Sequence, residues 1–162
     1  MTDRQASVFG SQLPVPGSIP DSRFPIPDGW ARGAGYAHAV STEGRTVFLS
    51  GQIGWDPVTL KVVPGGLVAQ ARQAFQNIMT LLASADAGAE HLVRLTWFIT
   101  DRDAYLRDRA SIGAAYREVI GRHFPAMSVV VVAALLEAGA EVEIEATAVV
   151  PNVSRSSNST GA

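Results

Sequence analysis

Apolar side chains recur every three or four positions in two parts of the chain, and this spacing predicts two amphipathic helices. The first covers roughly 67–86 and the second roughly 103–122. Asp101 or Asp103 is well placed to accept hydrogen bonds from the free N–H groups that open the second helix. Pro125 has no backbone N–H and ends that helical segment.

Strands are predicted wherever apolar and polar residues alternate. Segments 36–41 and 46–50 flank the turn-forming sequence TEGR and predict a β-hairpin, followed by a loop over 51–59. Residues 61–63 add a short strand. Segment 92–100 alternates as a longer strand, and its inner face is expected to consist of Val93, Leu95, Trp97 and Ile99.

The last third of the chain contains two strands of opposite character. Residues 129–136 form an unbroken apolar run, which is typical of a strand covered on both faces. Segment 141–150 alternates instead, with acidic residues on one side and apolar residues on the other: Glu141, Glu143 and Glu145 against Val142, Ile144 and Ala146. A row of carboxylates beside a buried strand is either a solvated sheet face or the wall of a binding site.

The order of these elements predicts an α+β domain in which two helices cover one face of the sheet. The other face contains part of the apolar run 129–136, and soluble monomers rarely leave such a surface in water. We therefore expect copies of the chain to associate through the open sheet face, with any pocket between subunits.

The 162 residues are enough for one domain with a sizeable core. Proline-rich residues 1–34 predict an extended arm, residues 35–151 the folded domain, and serine-rich residues 152–162 a disordered tail. No apolar run approaches the roughly 20 residues that cross a bilayer, and the first ten residues are too polar for a signal peptide. We expect a cytoplasmic protein with no membrane partner.

Composition excludes several classes of site. The net charge of -2 provides no electrostatic basis for nucleic-acid binding, so RNA cleavage is not expected either. Absence of cysteine excludes disulfides, thiol nucleophiles and thiolate metal sites. The three histidines, His38, His91 and His123, lack the spacing of metal ligands.

Several motifs carry a resemblance to a known family: VFLSGQI at 47–53, VAQARQAFQNI at 68–78, FPAMS at 124–128 and VEIEATAV at 142–149. Over about 35–150 the chain resembles the Rid family, the YjgF-type enamine/imine deaminases. The resemblance implies a chorismate-mutase-like α+β fold and a homotrimer with three inter-subunit clefts. It also implies water-dependent release of ammonia from short-lived enamines or imines, without a metal or an organic cofactor.

Position by position, the resemblance places Tyr36, Ser50, Gly51 and Glu143 in the substrate cleft. Glu143 matches the glutamate that holds the attacking water, and a carboxylate can orient a water and pass a proton to a departing amine. From spacing alone, the favoured interpretation is that the three glutamates lie on a solvated sheet face. The resemblance favours a catalytic role instead, but for Glu143 only. Ser50 lacks a recognisable histidine partner, so a hydrogen-bonding or structural role is expected.

Two positions depart from the family pattern. Deaminating members have an arginine that binds the substrate carboxylate where this chain has Met127, and often an asparagine where it has Gly113. Methionine has no donor for a carboxylate, and hydrogen bonds to charged groups typically contribute about 1.5–3 kcal/mol. Imines derived from amino acids are therefore expected to bind poorly. Arg94 is one candidate for a substitute cation.

Two functional hypotheses remain open. In the first, the protein hydrolyses an enamine or imine other than a simple 2-amino-acid imine. In the second, the trimer binds a small molecule in the same cleft without turnover. Ammonia release from freshly generated imines distinguishes the two.

Overall fold

The fold was derived from a computed structural model, which describes residues 24–152. Its strands and helices are, in chain order, β1 (Arg45–Ile53), β2 (Trp55–Asp56), β3 (Lys61–Val62), α1 (Gly66–Ser84), a short 3₁₀ turn (Ala89–His91), β4 (Leu92–Ile99), α2 (Arg102–Val119), β5 (Ala126–Val131) and β6 (Val142–Val150). Residues 24–34 contain neither helix nor strand. Most of the predicted arm and nearly all of the predicted tail lie outside the described residues.

Four strands form one mixed sheet in the order β1-β6-β4-β5. Strand β6 is antiparallel to both β1 and β4, while β5 is parallel to β4. Parallel neighbours need a crossover connection, and α2 supplies it. Strands β2 and β3 pair separately with each other. The last strand of the described residues, β6, therefore lies in the interior of the sheet.

Both helices cover the same face of this sheet. Phe75 of α1 contacts Trp97 of β4 and Tyr116 of α2 edge-on, with ring centroids 5.2 and 5.4 Å apart. Beneath them the sheet contributes alternate buried residues: Leu95, Trp97 and Ile99 from β4, and Val142, Ile144, Ala146 and Ala148 from β6. The predicted α+β architecture with two helices on one face is confirmed.

The two helices lie where the apolar periodicity places them. Asp101 is the N-cap of α2, and its carboxylate accepts hydrogen bonds from the N–H groups of Asp103 and Ala104 at 2.8 and 2.9 Å. These donors, that of Ala104 foremost, hold the pKa of the Asp101 carboxyl below its usual value. The capping interaction therefore favours the ionised carboxylate.

The predicted hairpin between segments 36–41 and 46–50 is wrong. Ala37 forms an isolated parallel bridge with Ala126, and its N–H donates to the Pro125 carbonyl at 2.9 Å. The segment thus lies along β5, at the opposite edge of the sheet from β1. Strand β1 also continues to Ile53, through residues predicted as a loop, because they still pair with β6.

In β4 the inner face begins with Leu92 and not with Val93. The pairing of β4 with β6 shifts between Leu92 and Arg94, which marks a β-bulge. Leu92 is fully buried, whereas Val93 is only partly buried. The extra residue reverses the alternation at the start of the strand, so the simple two-residue period fails there.

The apolar run 129–136 is not a strand covered on both faces. Strand β5 ends at Val131, and its last three valines are 42–50% exposed. Strand β5 lies at the edge of the sheet, and the rest of residues 24–152 covers only about half of each of these side chains. The fully exposed Leu136 follows outside the sheet. The uncovered valines are therefore a candidate surface for self-association.

We predict that the full-length protein scatters light as an assembly of three 17.1 kDa chains. Val130 is 45% exposed on the open sheet face, so Val130→Lys should shift the mass towards smaller species without damaging the core. Leu106→Lys is a matched control, since Leu106 is 46% exposed on α2. A stable wild-type monomer at micromolar concentration would contradict this prediction.

Candidate functional site

Two of the residues predicted for the site lie together in a bulge of β1. Leu49 pairs with Ala146 of β6 and Gln52 with Ile144, so β1 spans the same length with one extra residue. The bulge consists of Ser50 and Gly51. It brings both residues next to the acidic side of β6.

The carboxylate of Glu143 lies directly against Gly51. A Cβ atom added to Gly51 would overlap the Oε1, Cδ and Cγ atoms of Glu143. Glycine is therefore required for this close approach, because any side chain would displace the carboxylate. Glu143 is partly buried, on the sheet face opposite the helices. The bulge thus forms one wall of a small acidic site.

The three glutamates of this segment have different environments. Glu145 is exposed and pairs with Thr96 of β4. Glu141 lies before the start of β6, and its backbone N–H donates to the Gln70 side chain at 2.7 Å. Of the three, Glu143 is the one held against the bulge. The structure therefore distinguishes it from a uniform row of solvated carboxylates.

Two buried amide side chains of α1 hold the chain on either side of this site. Asn77 donates to the Trp55 carbonyl at 2.9 Å, just beyond the end of β1. Gln70 donates to the Gly139 carbonyl at 2.9 Å and accepts from Glu141, just before β6. Buried amides of this kind fix local geometry because an unpaired partner is costly.

The sequence analysis missed these two positioning residues. Gln70 and Asn77 are seven residues apart, which puts them on one face of α1, together with the buried Ala71, Ala74 and Ile78. The sequence did contain a signal for both residues, because each is a polar residue within the apolar stripe of a predicted helix. Such residues need internal hydrogen-bond partners.

Tyr36 and Met127 line a different feature, an open groove of about 300 Å³ around the start of β5. The rings of Tyr36 and His38 meet edge-on at 5.2 Å, and Trp30 contacts His38 at 5.5 Å. The other lining residues are Ala37, Arg94, Ala126 and Ser128. The groove therefore combines aromatic and apolar surface with a few polar groups, as small-molecule sites do.

Met127 belongs partly to the core. It pairs in register with Leu95, whose side chain is buried beneath the helices, and it packs against the core cluster. A thioether in that position fills apolar space and offers no hydrogen-bond donor. The position therefore provides no cation for a ligand carboxylate.

A single chain does not bring all the predicted site residues together. On β4, the partner of Met127 is Leu95 and the partner of Glu143 is Phe98, and strands β5 and β6 flank β4 on opposite sides. Leu95 is buried beneath the helices, so Met127 points to the helix side whereas Glu143 points to the open side. From ~3.3 Å per residue and ~4.8 Å per strand, the Cα atoms of Met127 and Glu143 are roughly 14 Å apart. Ser50, Gly51 and Glu143 form one group, and Tyr36 and Met127 form another.

Other classes of site find no support in the described part of the chain. Among residues 24–152, no three His, Asp or Glu side chains are grouped to hold a metal ion. No helix in the same range is both long enough and apolar enough to span a membrane.

Comparison with known proteins places these features in a family. A family model described as endoribonuclease L-PSP matches residues 30–150. The crystal structure of the Rid protein YyfB from Yersinia pestis superimposes with a TM-score of 0.71 at 29% identity, covering 80% of this chain and 98% of that one. The chain belongs to the Rid family.

Two curated relatives of this Rid-family chain are similar to it over most of their length, and only one of them is named for an enzymatic activity. Protein DfrA of Myxococcus xanthus is 40% identical over 119 residues, which are 70% of this chain and 84% of the relative. A Capra hircus protein named 2-iminobutanoate/2-iminopropanoate deaminase is 38% identical over 114 residues, which are 70% of this chain and 79% of the relative.

We predict that Gly51→Ala leaves a folded protein whose Glu143 carboxylate is displaced from the bulge. Thermal unfolding should change little, because a flexible side chain can rotate away, whereas any function that depends on Glu143 should fall as far as in Glu143→Gln. Gly113→Ala is the control, since its Cβ would meet only the Arg117 side chain, at 3.4 Å. Full function in Gly51→Ala would show that the close approach is not needed.

Proposed function

We propose that this protein hydrolyses a reactive enamine or imine metabolite with release of ammonia, and that its substrate is not a simple 2-amino-acid imine. The observation that carries the proposal is the Glu143 carboxylate packed against Gly51 on the open face of the sheet. The chain's similarity to a relative named as an imine deaminase supports the reaction class. Met127 supports the restriction on the substrate.

The chemistry requires one group that accepts and then returns a proton. Glu143 accepts a proton from a water molecule as the water oxygen attacks the imine carbon. The imine nitrogen takes up that proton to give a neutral carbinolamine. Glu143 then accepts the hydroxyl proton of the carbinolamine and passes it to the amino nitrogen, so that the C–N bond breaks, the C=O bond forms and ammonia leaves. An imine and water thus give a carbonyl compound and ammonia, with no change in oxidation state. An oriented carboxylate is sufficient for both transfers.

The separation of the two groups of site residues favours a site shared between subunits of a homotrimer. Met127 and Glu143 point to opposite faces of the sheet, with their Cα atoms roughly 14 Å apart, so one small ligand does not contact both side chains within one chain. The exposed valines of β5 lie close to the Tyr36–Met127 groove and provide apolar surface for a neighbouring copy. In the proposed assembly, Glu143 of one protomer faces the groove of the next.

The second candidate function is binding of a small molecule in the same cleft without turnover. The observation that favours it is Met127, which packs into the core where deaminating members have a cation. The absence of that cation weakens binding of a substrate carboxylate, but it leaves the proton acceptor Glu143 in place. Turnover measurements therefore decide between the two functions. The family model's endoribonuclease description gains no support from the net charge of -2.

If the protein hydrolyses imines, Glu143→Gln should lower the rate about 10²–10⁴-fold, because the amide cannot accept the proton. Ammonia release should be measured with a panel of imines generated in the assay by an amino-acid or amine oxidase. Glu145→Gln is the matched control, since Glu145 lies on the same face of β6 but is exposed. Undiminished turnover in a folded Glu143→Gln protein would move the proton transfer to another group.

We expect the wild-type protein to be weak on alanine- or serine-derived imines, and Met127→Arg to increase that activity. An arginine can bind a carboxylate through two parallel hydrogen bonds. Met127→Leu controls for the loss of the methionine, and the assembly state of each variant must match the wild type. Strong wild-type activity on these imines would refute the argument. The binding function would be favoured if the Met127→Arg variant folds but releases no ammonia and the wild-type protein binds a small molecule without converting it.

A further inference from the structure

Arg94 is a permanent cation inside the groove that Met127 lines. It belongs to β4, where it pairs with Ala126 on one side and with Thr147 on the other. Its side chain lies on the open face of the sheet, since the next residue, Leu95, is buried beneath the helices. The groove around the start of β5 therefore contains one guanidinium even though Met127 supplies none.

The guanidinium is oriented but not neutralised. Its Nε donates to the Thr96 hydroxyl at 3.2 Å, which fixes the plane of the group. Within residues 24–152, its two terminal nitrogens have no hydrogen-bond partner and no carboxylate lies within ion-pair distance. The acid nearest in register, Glu145, is opposite Thr96 and makes no described ion pair. As far as residues 24–152 are concerned, the terminal N–H groups are thus available to bind a planar anion.

The surroundings of Arg94 define the rest of the ligand. Ser128 pairs with Thr96 and lies on the same face, so its hydroxyl flanks the guanidinium. The Tyr36 and His38 rings form an aromatic wall, while the Met127 side chain turns towards the core. A ligand that fits this arrangement has an anionic end and an apolar body.

We propose that Arg94 is the specificity-determining residue of the groove and that it binds the carboxylate of an apolar organic acid, with Ser128 as a second donor. The anion then lies over β4, one strand spacing (~4.8 Å) inward from β5. With the anion at this offset, we expect imines whose carboxylate is remote from the imine carbon to fit better than those whose carboxylate adjoins it. The inference deepens the proposed function and rests on it for the use of this groove.

The test measures binding separately from turnover, on the full-length protein. Isothermal titration gives dissociation constants for two matched pairs, butanoate with butanamide and phenylacetate with phenylacetamide. Wild type should favour each acid over its amide by about tenfold or more, the usual scale for a hydrogen-bonded charge. Arg94→Gln should abolish that preference and leave amide binding unchanged, and Arg94→Lys should retain part of it. Arg109→Gln, an exposed arginine of α2, is the control and should match wild type.

Equal affinity for acid and amide in wild type would overturn the proposal. So would an acid preference that survives in a folded, normally assembled Arg94→Gln protein, or no binding of either compound at millimolar concentration. Ammonia release keeps the two proposals distinguishable. If the protein prefers acids through Arg94 but releases no ammonia from any imine, the proposed hydrolysis is wrong and the role of Arg94 stands. If it releases ammonia at the same rate from imines with and without an acid group, the hydrolysis stands and the role of Arg94 is wrong.

Discussion

Burial of every second residue of β6 is the constraint on which the rest of the site depends. Val142, Ile144, Ala146 and Ala148 lie beneath the helices, so the residues between them must face the other way. A slip of one residue would place Glu143 in the apolar core, and a buried unpaired carboxylate is strongly unfavourable. The hydrophobic core therefore fixes which face of the sheet carries the acidic group. Function at Glu143 follows from packing on the opposite side.

A second level of control comes from polar groups inside that core. Gln70 and Asn77 extend from α1 to the two backbone segments that flank the bulge and Glu143. Both side chains are themselves buried, so a movement of the paired backbone segments would leave a buried amide without its hydrogen-bond partner. One helix thus positions both the strand that carries the carboxylate and the strand whose glycine makes room for it.

The parts of the fold that depend on local pattern could be predicted from the sequence, and those that depend on pairing could not. Both helices and the alternation of β6 were evident because each follows from spacing within one segment. The bulges at Val93 and Gly51 arise only when a strand is aligned with its neighbour. The bridge from Ala37 to Ala126 joins positions far apart in the chain, which no local pattern indicates. Glu143 was identified through the family resemblance. Arg94 was only one candidate cation in the sequence, and its place in the groove became evident from the residues around it.

The central position of β6 has a consequence for how the protein folds during synthesis. Strands β1 and β4 are not direct neighbours, and both pair with β6, which is made after them. Until residue 150 has left the ribosome, the sheet is not complete. The apolar face of α1 then lacks the β6 residues against which it packs. Long-range pairing of this kind slows folding and exposes apolar surface in the nascent chain. The closing of this sheet therefore waits for β6, and its cooperativity depends on that strand.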